Sequence, residues 1–260
     1  ALSEFIELVN SNPDVHDYHE AQATSSATFG RILRDLNEDR LAEEAFRGAV
    51  ERLAELATKA NEVPRYRSRL AFARSGLGRT LHKMGKHDAA KTEFLEAIKS
   101  FQSVTNDGSD DPVSQDGLAW CYTHLGDLLR ETGQPGDATV YYAKAMAIRE
   151  ALVKEPDELY SLAWFLANCD DVKFRDEKRA VEVADEARKK APENGRYWNM
   201  LGMAQYRADK WDECIKSLLV AADLRGADKH PADGLVMAMA QRKKGNDAEA
   251  KTSYDDAIKI

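Results

Sequence analysis

Six histidines, three cysteines and 45 carboxylates are the residues of this 260-residue chain from which chemistry could be built. His16 and His19 stand one helical turn apart and could share a metal, but two imidazoles without Asp or Cys support are too few ligands. The other histidines are His82, His87, His124 and His230. The acidic run Asn106-Asp107-Gly108-Ser109-Asp110-Asp111 misses the ligand spacing of a calcium loop and is expected to be solvated. Gly76-Leu77-Gly78-Arg79-Thr80-Leu81 lacks the third glycine of a dinucleotide loop and follows no strand. Gly85-Lys86 is followed by His87 instead of Ser or Thr, with no glycine five residues earlier, so no phosphate loop forms there. Cys121, Cys169 and Cys214 make no CxxC pair and no even-numbered framework, which predicts three small buried thiols in a reducing compartment. No Ser or Cys sits on a nucleophile elbow. These absences predict no enzymatic activity, no metal site and no cofactor.

The elements that must position any site are helical. Hydrophobic residues make up 43% of the chain and charged residues 32%, which suits a helix-rich fold and argues against disorder. The net charge of −8 weighs against nucleic acid and anionic membranes as partners, because phosphate demands a surplus of Lys and Arg. No stretch approaches 18 continuous apolar residues. The opening residues Ala1 to Val9 form an amphipathic pattern without the basic start of a signal peptide.

One pattern is written three times at a spacing of 48 residues. Phe29-Gly30 precedes Ala42, Phe46 and Ala49; Leu77-Gly78 precedes Ala90, Phe94 and Ala97; Leu125-Gly126 precedes Ala138, Tyr142 and Ala145. Within each unit apolar residues fall three and four apart, the period of a helix with one buried stripe. Glycine and alanine give clearance where two antiparallel helices cross, and the aromatic fills the space beside them. Gly85 and Gly133 sit where a helix end needs a left-handed residue, and Asn37 takes that place in the first unit. Asp88 and Asp137 are then expected to cap the following helices. Pro64, Pro112 and Pro156 each precede Leu-Ala-aromatic by six residues and predict helix starts, where a missing N–H costs nothing. An internal repeat of this kind predicts stacked helical hairpins offering a surface, with no central pocket.

Leu-Gly, a turn glycine, then Ala, aromatic and Ala together resemble the tetratricopeptide repeat. Trp198, Leu201, Gly202, Trp211, Cys214, Leu218 and Ala221 match the pattern less fully, as do Gly245, Ala250, Tyr254 and Ala257. A degenerate unit with Ala180, Ala184, Ala187 and Pro192 lies between. The resemblance implies an all-α, right-handed superhelical solenoid of antiparallel helix pairs, about 13 helices in all. Residues 1–13 are expected to be the second helix of a preceding partial repeat. Residues 14–156 hold three long units, 157–192 the degenerate unit and 193–260 two units of ordinary length. Around Asn168 to Asp176 the Leu-Gly pair is missing, so an irregular connection is expected. The chain is expected to be a segment of a longer, multidomain protein, similar to bacterial regions of long repeats that accompany signalling enzymes.

The resemblance also implies a binding groove, because first helices of the family line the inner surface. In register this places Arg31 and Arg34 there, then Phe72, Arg79, His82 and Lys83, then Trp120, Thr123, Asp127 and Arg130. Asn199, Met203 and Tyr206 follow in the last units, with Met239. Basic residues recurring one turn apart would hold a carboxylate or an acidic peptide. Alternatively they pair with Asp35, Asp127 or Glu131 as an ordinary solvated face. Phe72, Trp120 and Trp164 are either exposed anchors or packing residues, and the Met-lined part is either a tolerant groove or filler. The family's clamp for a C-terminal carboxylate is absent: its Lys and Asn positions hold Ala27, Ser75 and Thr123, and Arg31, Arg79 and Asp127. The expected function is a non-catalytic, cytoplasmic scaffold for a protein or peptide, one that carries acidic groups if the basic strip is its site. The alternatives are a structural spacer or assembly module in a large complex, and a regulatory domain sensing a small peptide.

Overall fold

The computed structural model describes residues 11, 15–106, 111–226 and 231–259. Among the described residues there are twelve α-helices, one 3₁₀ turn and no strand. The thirteenth helix expected from the sequence falls on residues 1–13, which lie outside the described residues except for residue 11. So do the acidic positions 107–110 and His230.

The chain divides into two compact units, the first ending at Ala145 and the second beginning at Met146. The first holds α1 (His16–Asp35), α2 (Asp39–Lys59), α3 (Pro64–Lys83), α4 (His87–Asn106), α5 (Pro112–Glu131) and most of α6 (Pro135–Leu152). The second holds α7 (Pro156–Asn168), α8 (Glu177–Lys190), α9 (Gly195–Arg207), α10 (Trp211–Arg225), α11 (Pro231–Lys243) and α12 (Asp247–Ala257). Pro64, Pro112 and Pro156 open their helices as expected. The extra length of the early repeats lies in the helices themselves. α1 to α5 run 20 or 21 residues, whereas α7 to α12 run 11 to 15. The irregular connection also appears, as a 3₁₀ turn at Val172–Phe174 between α7 and α8.

Helices pack in sequential pairs, α1 on α2, α3 on α4, and in the second unit α7 on α8, α9 on α10 and α11 on α12. The crossing points are built as the repeated residues require. A Cβ placed on Gly30, Gly78 or Gly126 would stand 3.0, 2.9 or 2.6 Å from the ring of Phe46, Phe94 or Tyr142. At Gly202 the same space is filled by Leu218, with its Cγ 2.7 Å from such a Cβ. Ala42, Ala90 and Ala138 are buried opposite. One contact was not legible in the sequence: Gly76, on α3, also abuts the Phe46 ring of α2. A single aromatic is therefore gripped by glycines from two successive pairs. All three cysteines are buried, and desolvation raises the thiols of Cys121 and Cys214 to about 12, so they are packing residues.

Each tight turn closes the same way. Lys86 N–H donates to Leu81 O (2.9 Å) and Gly85 N–H to His82 O (2.9 Å), the paired bonds of a Schellman cap with Gly85 at φ 73°. Asn37, Gly133 and Gly245 repeat the geometry, and so does Asp209, at φ 55°. Asp88 and Asp137 do not cap. α4 and α6 begin at His87 and Pro135, which puts both acids inside the first turn, where they favour the positive end of the helix dipole. An aspartate held at positive φ is strained relative to glycine. Asp209→Gly is therefore expected to stabilise the second unit by about 0.5–1 kcal/mol, measured by denaturant titration. A destabilised variant would show that the Asp209 side chain makes a compensating bond.

Candidate functional site

The first helices of the three long repeats lie side by side, α1 against α3 and α3 against α5. Their C-terminal ends are laced together by α3. Lys83 Nζ reaches back to Arg34 O (3.2 Å), Asn37 Oδ1 (2.8 Å) and Asp39 Oδ1 (2.8 Å). On the other side His82 Nε2 meets Glu131 Oε2 of α5 at 2.6 Å. Between these ties opens a cleft of about 280 Å³ lined by Arg79, His82, Lys83, His124 and Glu131.

Charge in this cleft is unevenly matched. Arg34 is buried beneath, bonded to Asp35 at 3.3 Å and lying over the Phe46 ring at 6.0 Å. Arg31, exposed, stands 4.0 Å from the same carboxylate, a weak surface pair. Arg79 makes no hydrogen bond and no ion pair among the described residues. Much of its side chain meets solvent, yet the surrounding protein desolvates the guanidinium and Arg34 repels it, which together push its pKa down to about 10. Asp35 and Asp127 act in the opposite sense and do not prevail. At pH 7 Arg79 is charged and has no ion-pair partner among the described residues. Glu131 is held below the usual carboxylate range by its hydrogen bond to His82 and then by the charges of His82 and His87.

The remaining expected residues divide. Arg130 is exposed at the end of α5, and Asp127 is half-buried, accepting from Tyr142 Oη at 2.8 Å. Trp120 is half-buried, stacked on His124 at 5.6 Å, with its Nε1 donating to Asp116 at 3.0 Å. Phe72 is 42% exposed and meets Phe101 edge-on at 4.9 Å. Thr123 is buried and donates to Ala119 O of its own helix at 3.0 Å, so it faces no ligand. Asn199, Met203 and Tyr206 belong to the second unit. Asn199 is buried and donates to Asp233, while Met203 and Tyr206 pack against the Cys214 and Leu218 cluster. Trp164 packs against the cluster around Leu162 and Leu166. Arg79, His82 and Lys83 thus line one cleft with Arg34 O beside Lys83, while Asn199, Met203 and Tyr206 lie in the second unit. His87, His124 and Glu131 also border the strip, though none was expected as a ligand contact. The 48-residue register could have indicated Glu131, which stands in the place of Lys83, whereas His124 stands in the place of Gly76 and carries no such signal.

Residues 73–103 and 118–157 match models of the tetratricopeptide repeat. Both stretches are tetratricopeptide repeats. No curated protein matches its sequence. Among solved structures, the tetratricopeptide chain is similar to RapI in its apo form, with a TM-score of 0.55 at 12% identity over 100% of this chain and 89% of that one. It is also similar to a chain of the APC/C hetero-tetramer Cut9–Hcn1, with a TM-score of 0.52 at 17% identity over 98% of this chain. The tetratricopeptide chain spans 43% of that relative's length. At such identities the likeness is one of fold. No helix among the described residues is long and apolar enough to cross a membrane.

Proposed function

We propose that this tetratricopeptide protein is a non-catalytic scaffold and that the α1–α3–α5 face of its first unit binds an acidic segment of a protein partner. Arg79 carries the reading. A desolvated guanidinium that faces the cleft without an ion pair among the described residues, while the cleft's Glu131 is engaged by His82, gains most from a carboxylate brought by a ligand, which it can hold with two parallel bonds. Arg130, exposed and without an ion pair among the described residues, extends the basic strip along α5. Arg31 and Phe72 lie along the same three helices, a cation and an exposed ring that suit a peptide with mixed acidic and apolar residues.

Acidic and amidated versions of one peptide library, compared by fluorescence polarisation, test the reading. Arg79→Glu with Arg130→Glu is expected to weaken acidic binders about 10–100-fold, the loss that goes with a charge-assisted hydrogen bond of about 1.5–3 kcal/mol. Affinity should also fall as salt rises, because the strip is partly exposed. Equal binding by the double variant would remove the strip from the function. An assembly role is the second reading, favoured by the likeness to a chain that is part of a hetero-tetramer. It predicts that outward-facing variants, and not Arg79→Glu, disrupt association.

A further inference from the structure

Across the Schellman turn that joins α3 to α4, two imidazoles are held on either side of Gly85, and α5 brings a carboxylate to them. One donor atom from each of His82, His87 and Glu131 lies within 4.8 Å of the others. We propose that these three residues form a binding site for a divalent transition metal of the zinc class, with solvent completing its coordination.

Three observations carry this. The donor set is two imidazoles and one carboxylate, borderline ligands that suit zinc, cobalt or nickel far better than calcium or magnesium. Ligand atoms around a tetrahedral zinc stand about 3.3 Å apart, so three donors already within 4.8 Å need only side-chain rotation to close on an ion. Finally, Nδ1 of His87 is buried and has no hydrogen-bond partner among the described residues. A buried ring nitrogen left without a partner is costly unless something occupies it. The frame is rigid: Gly85 N–H to His82 O and Lys86 N–H to Leu81 O, both at 2.9 Å, fix the turn between the two histidines.

The charges nearby act both ways. Lys83, beside His82 in sequence, is drawn onto Asp39 and Asn37 at 2.8 Å and is turned toward α1. Arg79 lines the same cleft and opposes a cation there. The metal and an acidic peptide therefore depend on Arg79 with opposite signs, so the two readings fail separately. The ion would sit across α3, α4 and α5 and clip two consecutive repeats together.

The test is titration of the full chain, free of any affinity tag, with Zn²⁺ alone by calorimetry and with Co²⁺ alone by visible absorption. One ion per chain is expected, with the ligand-field bands of a low-coordinate cobalt and a rise in melting temperature on zinc addition. Glu131→Gln and His87→Ala should each weaken binding about tenfold or more, His16→Ala should leave it unchanged, and Arg79→Gln should tighten it several-fold. The Glu131 side chain is 58% exposed, so its variant decides the matter even if His87→Ala folds poorly. Absence of saturable binding overturns the proposal, as does one-to-one binding that Glu131→Gln leaves intact.

Discussion

Phe94→Ala is expected to destabilise the first unit by about 3–5 kcal/mol. The ring is fully buried and lies against the backbone of α3, since a Cβ on Gly78 would stand 2.9 Å from it. It also stacks on His124 of α5, with centroids 6.1 Å apart and planes 23° from parallel. Three helices therefore lose a common contact when it goes. A cavity between helix backbones closes poorly, because the walls are ladders of hydrogen bonds and not side chains that can swing inward. The cost should lie at the upper part of the range for a large-to-small change. In a stack of repeats the loss should stay near its source. Hydrogen exchange should show α3, α4 and α5 losing protection while α9 and α10 keep theirs. Tyr142→Phe is the matched control: it keeps the ring beside Gly126 and loses the 2.8 Å bond to Asp127, so about 1 kcal/mol is expected. If Phe94→Ala cost no more than that control, the glycine–aromatic crossing would not be what holds the repeats together.

The same residues explain why the fold was legible. A small residue facing a ring at a fixed offset is a packing constraint between two helices, and its recurrence at a spacing of 48 residues can be satisfied only by equivalent pairs. Turn chemistry agreed, since Gly85 and Gly133 take the positive φ their positions demand. Asp209 escaped notice because aspartate takes the left-handed region far less often than glycine, so its type alone does not mark the turn. Asp88 and Asp137 misled because an acid near a helix start is equally suited to the cap and to the first turn, and a shift of two or three residues in the helix start decides between them.

The site was legible as a face but not as a network. Register places Arg79, His82 and Lys83 on the first-helix side. It cannot say that Lys83 turns to α1 while His82 turns to α5, because long side chains choose among partners that are distant in sequence. In the sequence His87 is marked only as the residue after Gly85-Lys86, whereas it is the first residue of α4 and brings a ring nitrogen near His82 and Glu131. Thr123 and Asn199 were expected to face a ligand, but their polar atoms are engaged by a backbone carbonyl and by a buried carboxylate.

That buried carboxylate is the polar centre of the second unit. Asp233, in the first turn of α11, accepts from Asn199 Nδ2 of α9 through one oxygen and from Arg225 of α10 through the other, at 2.5 Å. Its side chain is 3% exposed and that of Arg225 is 19% exposed, so the pair is largely out of water. Asp233→Ala is expected to cost about 3–5 kcal/mol, because it strands a guanidinium and an amide with no acceptor. Asp233→Asn should recover little. Its oxygen can serve Asn199, but its NH₂ then faces the Arg225 donors. The informative variant replaces the network as a set: Asp233→Leu with Arg225→Met and Asn199→Leu removes every stranded group and should restore most of the stability lost in Asp233→Ala. Denaturant titration of the four proteins separates the possibilities. If the triple change is as unstable as the single one, the carboxylate contributes through shape, and the desolvated-charge explanation for the loss fails. If Asp233→Ala is itself within about 1 kcal/mol of the parent, water replaces the carboxylate, and the three helices are held by apolar packing of Cys214, Leu218, Val236 and Ala240 with Met203 and Tyr206 of α9.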